Sequence, residues 1–281
     1  MCRFLTYAGE PVLLHDLLYR PEHSLIVQSY NSQERDSPYN ADGFGIAWYV
    51  PEISPAPAVF RSLLPAWSNP NLKSIASLTR SGHVFAHVRA ASEGDVSEMN
   101  CHPFASGNFL WMHNGTLAGY AVFKEWIRRY LSPGVFAQIR GTTDSELLFA
   151  LFLDTWGQLG SPTNADGLAE AFRKSLRLAV DILQDYGVKD PSTLNIALTD
   201  GKTTLACRYR TGTEKPPHSL YLAKNVRLAF DAGRSAFEPA RERRGVLVAS
   251  ERLFPHPSWE EVPPSHIVVA REGGDVSGIA T

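Results

Sequence analysis

The second residue of the chain is a cysteine, and its position is chemically suggestive. If Met1 is removed, Cys2 carries both a thiol and the free α-amino group. Their ordinary pKa values are about 8.5 and roughly 7.7–8.0, so near neutral pH the amine can take the thiol proton directly or through a water. One residue then supplies a nucleophile and its base, the logic of an N-terminal threonine applied to sulfur. Standing alone, a cysteine at position 2 is as well explained by accident, so the reading depends on a polar set further on. His87-Val88-Arg89 closes an apolar run, where a planar guanidinium can grip a carboxylate bidentately; the bland alternative is a surface ion pair. Asn100-Cys101-His102-Pro103-Phe104 and Trp111-Met112-His113-Asn114-Gly115-Thr116 follow. Asn-Gly after an apolar run ordinarily turns the chain, yet it can also aim a side-chain amide and a backbone N–H at one developing oxyanion. Asp144 opens a helix, where a carboxylate complements the dipole and can equally hold an ammonium group.

Short runs rich in β-branched and aromatic residues predict strands over 2–8, 43–50, 82–89 and 109–113, and later over 194–199, 203–209, 246–250 and 266–270. Asp200-Gly201 between two of them predicts a hairpin. Leu168, Phe172, Leu176, Ala179 and Leu183 form one apolar helical stripe that stops at Gly187. Thr143-Asp144-Ser145-Glu146 fits a capping box ahead of Leu147, Leu148 and Leu151, and 13–18 predicts a shorter helix. The Pro-rich stretches 51–57, 216–217 and 255–264 read as surface loops, and 241–244 as a solvated charge run. Trp67 and Trp259 read as exposed aromatics. Strands, helices, then strands again imply an α+β layered fold of mostly antiparallel sheets.

The 281 residues carry 27 Lys plus Arg against 29 Asp plus Glu, a net charge of −2. That balance offers no basic excess for a phosphate backbone, which argues against nucleic acid as a main partner. No apolar run approaches the roughly 20 residues needed to cross a bilayer, and the N-terminus lacks a signal-peptide layout, so no membrane partner is expected. Three scattered cysteines (Cys2, Cys101, Cys207) do not make a disulfide scaffold, and a cytoplasmic location follows as the default.

Cys2-Arg3, Asn40-Ala41-Asp42-Gly43-Phe44-Gly45, His87-Val88-Arg89, His102-Pro103-Phe104, His113-Asn114-Gly115 and Thr143-Asp144-Ser145-Glu146 resemble, in order, the motifs of class II glutamine amidotransferases. These are N-terminal nucleophile hydrolases. The closing Ala249-Ser250-Glu251-Arg252-Leu253 and Trp259-Glu260-Glu261-Val262-Pro263-Pro264 resemble a compact subgroup. It includes the γ-glutamyl hydrolase of ergothioneine biosynthesis and an amidotransferase-like subunit of a glutathione-degrading complex. The resemblance implies a four-layer αββα sandwich of two antiparallel sheets in one domain spanning 2–281, with the motifs densest over 2–150. It implies Cys2 as nucleophile, Arg89 on the substrate α-carboxylate, Asp144 on the α-ammonium, and Asn114 with Gly115 as oxyanion hole. His102 and His87 would support the site. Asn40 and Asp42 would either support it or shape the turn into the next strand. No cofactor and no metal are implied. The expected substrate is a small γ-glutamyl amide, with a separate synthetase or peptidase subunit as an alternative working partner.

Two other readings compete. A zinc hydrolase would need His83 and His87 on one ion, but residues four apart in a strand stand roughly 13 Å apart. A binding module that kept the fold and lost the chemistry is the other; retention of Met1 would favour it, because the thiol would lose its amine.

Overall fold

The computed structural model describes residues 2–34, 38–91, 94–212, 214–231, 234–240 and 244–281. Met1, Glu93 and residues 241–243 of the predicted charge run lie outside the described residues. Among those described, fourteen strands build two antiparallel sheets. The first holds β1 (Arg3–Leu13), β2 (Phe44–Val50), β3 (Ser54–Ser62), β4 (Arg80–Val88), β9 (Tyr221–Asp231), β10 (Arg234–Pro239), β11 (Gly245–Ala249) and the short β12 (Glu260–Glu261). Its order is β10-β9-β11-β1-β4-β2-β3, with β12 also on β9. The second holds β5 (Phe104–Ser106), β6 (Phe109–Thr116), β7 (Thr193–Thr199), β8 (Thr204–Arg208), β13 (His266–Ala270) and β14 (Val276–Ala280), in the order β14-β13-β8-β7-β6-β5.

Three apolar clusters explain the layering. Leu5, Tyr7, Val84 and Leu247 face helices α1 (Leu14–Leu18), α2 (Leu25–Tyr30) and α3 (Pro70–Leu78). Phe4, Phe85, Leu110, Met112, Ala197 and Val248 pack sheet on sheet. Trp111, Ile196, Leu205 and Ile267 face α4 (Tyr120–Trp126), α5 (Pro133–Phe136), α6 (Asp144–Gln158) and α7 (Ala165–Asp185). Central strands are therefore apolar on both faces, and no polar alternation marks them. The αββα order matches the layering expected of the sequence.

Two expectations are corrected. The stretch 51–57 runs into β3, an edge strand of the first sheet, where prolines are tolerated because one side needs no ladder partner. Trp259 is buried, not exposed: its ring packs on Phe237 at 5.2 Å and its Nε1 donates to the Phe254 carbonyl.

Candidate active site

Strand ends from both sheets meet at one end of the space between them. Phe4, Phe85 and Val248 face the inner core, so the period of two puts Cys2, His87, Arg89 and Ser250 on that face at the strand ends. From the second sheet, Met112 sets the same face for Asn114 and Thr116. In the register of β1 against β4, Arg3 opposes Val88 and Phe4 opposes His87. One step further sets Cys2 across from Arg89, and the Cys2 thiol lies 3.5 Å from the Ala90 carbonyl.

The start of β1 is held by charges as well as by its ladder. Arg3 is buried; its Nη1 donates to the Cys2 carbonyl at 2.8 Å and its Nη2 to the Glu34 carbonyl at 3.0 Å, while its Nε pairs with Glu251. Glu251 is also bonded to His23 and accepts from the Gln33 N–H. Burial pushes this carboxyl up, but His23, Arg3 and the Gln33 N–H together hold it down at about 2. Ser250, just before it, accepts the Phe4 N–H at 3.1 Å and lies 3.4 Å from the Asn114 amide nitrogen. One hydroxyl thus joins the start of β1 to the end of β6.

Asn114 is wholly enclosed and its Oδ1 has no partner among the described residues. At Gly115 a Cβ would collide with the Thr193 carbonyl and sit 2.7 Å from His113 Nε2, so only glycine lets β6 and β7 stay this close. Asp144, at the first turn of α6, accepts from the N–H groups of Leu117 (2.8 Å) and Ser145 (2.7 Å), which fastens the helix to the segment after Gly115. His113 Nε2 donates to the Thr193 carbonyl at 3.0 Å, and its Nδ1 lies 2.8 Å from the Ser145 hydroxyl.

Arg89 and Asp144 are tied through the intervening loop. Arg89 Nη1 donates to the Asp95 carbonyl at 3.2 Å, and Asn100 Nδ2 donates to the same carbonyl and to Thr142 Oγ1. Thr142 N returns a bond to Asn100 Oδ1 at 2.8 Å, two residues before Asp144. The His87 and His102 rings lie tilted against each other with centroids 4.2 Å apart. Burial brings His87 down to about 3 against the bond to the His113 carbonyl, with the Arg89 charge adding to the fall. Burial and the His87 ring lower His102 well below its ordinary value. Both rings are therefore neutral at pH 7 and serve as packing around the charged groups.

Asp42 accepts the Ala91 N–H at 2.8 Å and its own N–H donates to the Arg89 carbonyl, so it shapes the chain just past Arg89. The Asn40 amide donates to the Gln28 carbonyl and to Ser32 Oγ, fastening the end of α2. Cys101 packs under Gly43, and burial raises its thiol to about 11 against the nearby Arg89 and Arg61. Cys207 is buried and raised to about 12. Arg3, Ser250 and Glu251 carry no chemistry that types or spacing announce. Their signal in the sequence is the resemblance of Cys2-Arg3 and of Ala249-Ser250-Glu251-Arg252-Leu253 to family motifs, which assigns them no role.

Two inner sheets between helical layers, with β1 starting at the open end, define the architecture of the N-terminal nucleophile amidotransferases. The glutamine phosphoribosylpyrophosphate amidotransferase of B. subtilis shares it with a TM-score of 0.59 at 15% identity, covering 99% of this chain and 49% of that one. The chain belongs to the class-II glutamine amidotransferases, and so to an amidohydrolase family of enzymes: the model "Glutamine amidotransferases class-II" matches residues 21–281. It is 37% identical to the probable glutamine amidotransferase DUG3 of Saccharomyces cerevisiae, over 97% of this chain and 82% of that one. It is 26% identical to the gamma-glutamyl-hercynylcysteine sulfoxide hydrolase of Mycobacterium tuberculosis, over 98% and 94%. A solved class-II domain protein from Silicibacter pomeroyi superposes with a TM-score of 0.66 at 25% identity, over 99% of this chain and 98% of that one. Among the described residues no helix is long and apolar enough to cross a membrane.

Proposed function

We propose that the protein is a cysteine amidohydrolase cleaving the γ-glutamyl amide of glutamine or a small γ-glutamyl conjugate, with residues 2–281 acting as one domain. Removal of Met1 frees the Cys2 amine. The sulfur attacks the γ-carbonyl carbon while the amine takes the thiol proton. The C–N bond then breaks as that proton passes to the leaving nitrogen, which leaves a γ-glutamyl thioester. Water, giving its proton to the same amine, attacks the thioester; the C–S bond breaks, the sulfur is reprotonated and glutamate departs. Arg89 holds the α-carboxylate and Asp144 the α-ammonium, which orients the γ-carbonyl over the sulfur. Asn114 and the Gly115 N–H receive the oxyanion.

The observation that carries this reading is the Ser250 hydroxyl, which joins Phe4, two residues after Cys2, to Asn114, while the β1–β4 register carried one step past Arg3 sets Cys2 across from Arg89. The name of the mycobacterial relative supports a hydrolase. The yeast relative is named a probable glutamine amidotransferase, which supports as a second reading an amidotransferase; in that reading we propose a separate chain as the acceptor of its ammonia. Glutamate release from glutamine and from γ-glutamyl conjugates, compared between wild type and Cys2→Ala, tests the assignment. Turnover falling by about 10⁴-fold or more in a folded variant is expected; retained turnover would sink it.

A further inference from the structure

One arginine at this end of the molecule, Arg210, holds no carboxylate among the described residues. It extends β8 and bridges Thr193. Thr193 in turn opposes Thr116, the residue after Gly115. The inner face set by Ala206 carries Arg208 and Arg210 as well, so Arg210 lies two strands from the Asn114-Gly115 end of β6, about 10 Å across the sheet. It is half-buried, and its enclosed Nε has no hydrogen-bond acceptor and its guanidinium no carboxylate among the described residues. Arg208, two residues earlier, is saturated: it donates to the carbonyls of His218, Val262 and Pro217 and pairs with Glu261 at 2.7 Å. Arg3 is neutralised by Glu251. Burial, and then the charges of Arg3 and Arg210, lower His218 to about 4. A guanidinium held partly out of water with no counter-charge calls for an anion.

We infer that Arg210 forms an anion subsite on the leaving-group side, taking the carboxylate of a γ-glutamyl amino acid or peptide. The inference rests on the hydrolase reading above and adds a second charge contact to it. A γ-glutamyl amino acid carries carboxylates at both ends of an extended chain. Arg89 would take the glutamyl one and Arg210 the other, with the scissile amide between them. Hydrolysis then consumes one water and releases glutamate and the free amino acid or peptide. Glutamine, whose leaving group is ammonia, has nothing to offer Arg210.

The test compares γ-glutamylglycine with γ-glutamylmethylamide, which lacks only the second carboxylate. Calorimetric binding to Cys2→Ala should favour γ-glutamylglycine by at least tenfold, and adding Arg210→Gln should erase that ratio, while Arg210→Lys restores part of it. Equal binding of the pair to Cys2→Ala would overturn the subsite. So would a ratio surviving Arg210→Gln, or a loss of both ligands alike, which would make Arg210 a partner of the glutamyl head. Turnover by wild type is read separately: binding with the predicted ratio but no cleavage of either compound would contradict the hydrolase reading and leave the subsite standing.

Discussion

The two ends of the space between the sheets are built from similar residues and treated very differently. At the far end His83 sits 3.1 Å from the Gly201 carbonyl and 3.0 Å from Thr204 Oγ1. There Tyr49 donates to the Asn108 carbonyl at 2.6 Å, and the Asn108 amide donates to the Asp200 carbonyl at 2.8 Å. At the Cys2 end, Asn114 Oδ1, Asn195 Oδ1, Arg210 Nε, His87 Nδ1 and both nitrogens of His102 are buried without a partner among the described residues. A cavity of about 690 Å³ lies at the far end, so space alone does not mark the site. An unpaired buried polar atom typically costs about 1–3 kcal/mol, and several together at one place call for an explanation; for Asn114 and Arg210 the proposed substrate supplies one.

The largest expected effect breaks the scaffold at the Cys2 end. Glu251→Gln leaves the buried Arg3 without its counter-charge and should lower unfolding stability by about 3–5 kcal/mol, read as a shifted urea midpoint at unchanged slope. Next, Asn114→Ala removes one oxyanion donor and should cut kcat by about 10²–10³-fold, roughly 2.7–4 kcal/mol, with KM moving far less.

A third effect is pH-dependent. His87 binds its proton at about 3 in the folded state against 6.5 ordinarily, so the unfolded chain takes up protons first as pH falls. Stability from this group is complete above about 6.5 and is lost progressively toward 3, about 2 kcal/mol of it by pH 5. Glu251, held at about 2 against 4.5, adds its own loss only below about 4.5. Urea midpoints between pH 7 and 5 should therefore fall in wild type and fall less steeply in His87→Gln, the remaining slope coming from His102 and His218, which are lowered as well. The smallest effect belongs to the far end: Tyr49→Phe deletes one hydrogen bond, about 1 kcal/mol, with kcat/KM unaltered. A catalytic defect there would collapse the contrast between the two ends.

Much of this architecture was legible because local rules and tertiary demands agree. The stripe Leu168 to Leu183 became α7, and Thr143 caps α6 by accepting the Glu146 N–H at 3.2 Å. The reciprocal half of that cap did not form. The Glu146 carboxylate instead accepts from the N–H groups of Arg140 and Gly141 in the preceding loop, a choice set by tertiary contacts. β9 and β10 went unread because Lys224, Asn225, Arg227 and Arg234 interrupt them; they lie at one edge of the sheet, where charge blunts pairing with other chains. Arg210 and the role of Ser250 went unread for another reason. Strand pairing brings Arg210 through Thr193 to Thr116, and Ser250 to Phe4 and Asn114, a relation spacing does not encode.

The account stands on Cys2 as the reacting atom of a chain that has shed Met1. A glutamine analogue carrying an electrophile in place of the γ-amide, followed by intact mass and peptide mapping, reads both points at once. The predicted result is a single adduct on Cys2 of a chain lacking Met1, absent from Cys2→Ala. An adduct on Cys101, or full turnover by a chain that keeps Met1, would contradict it.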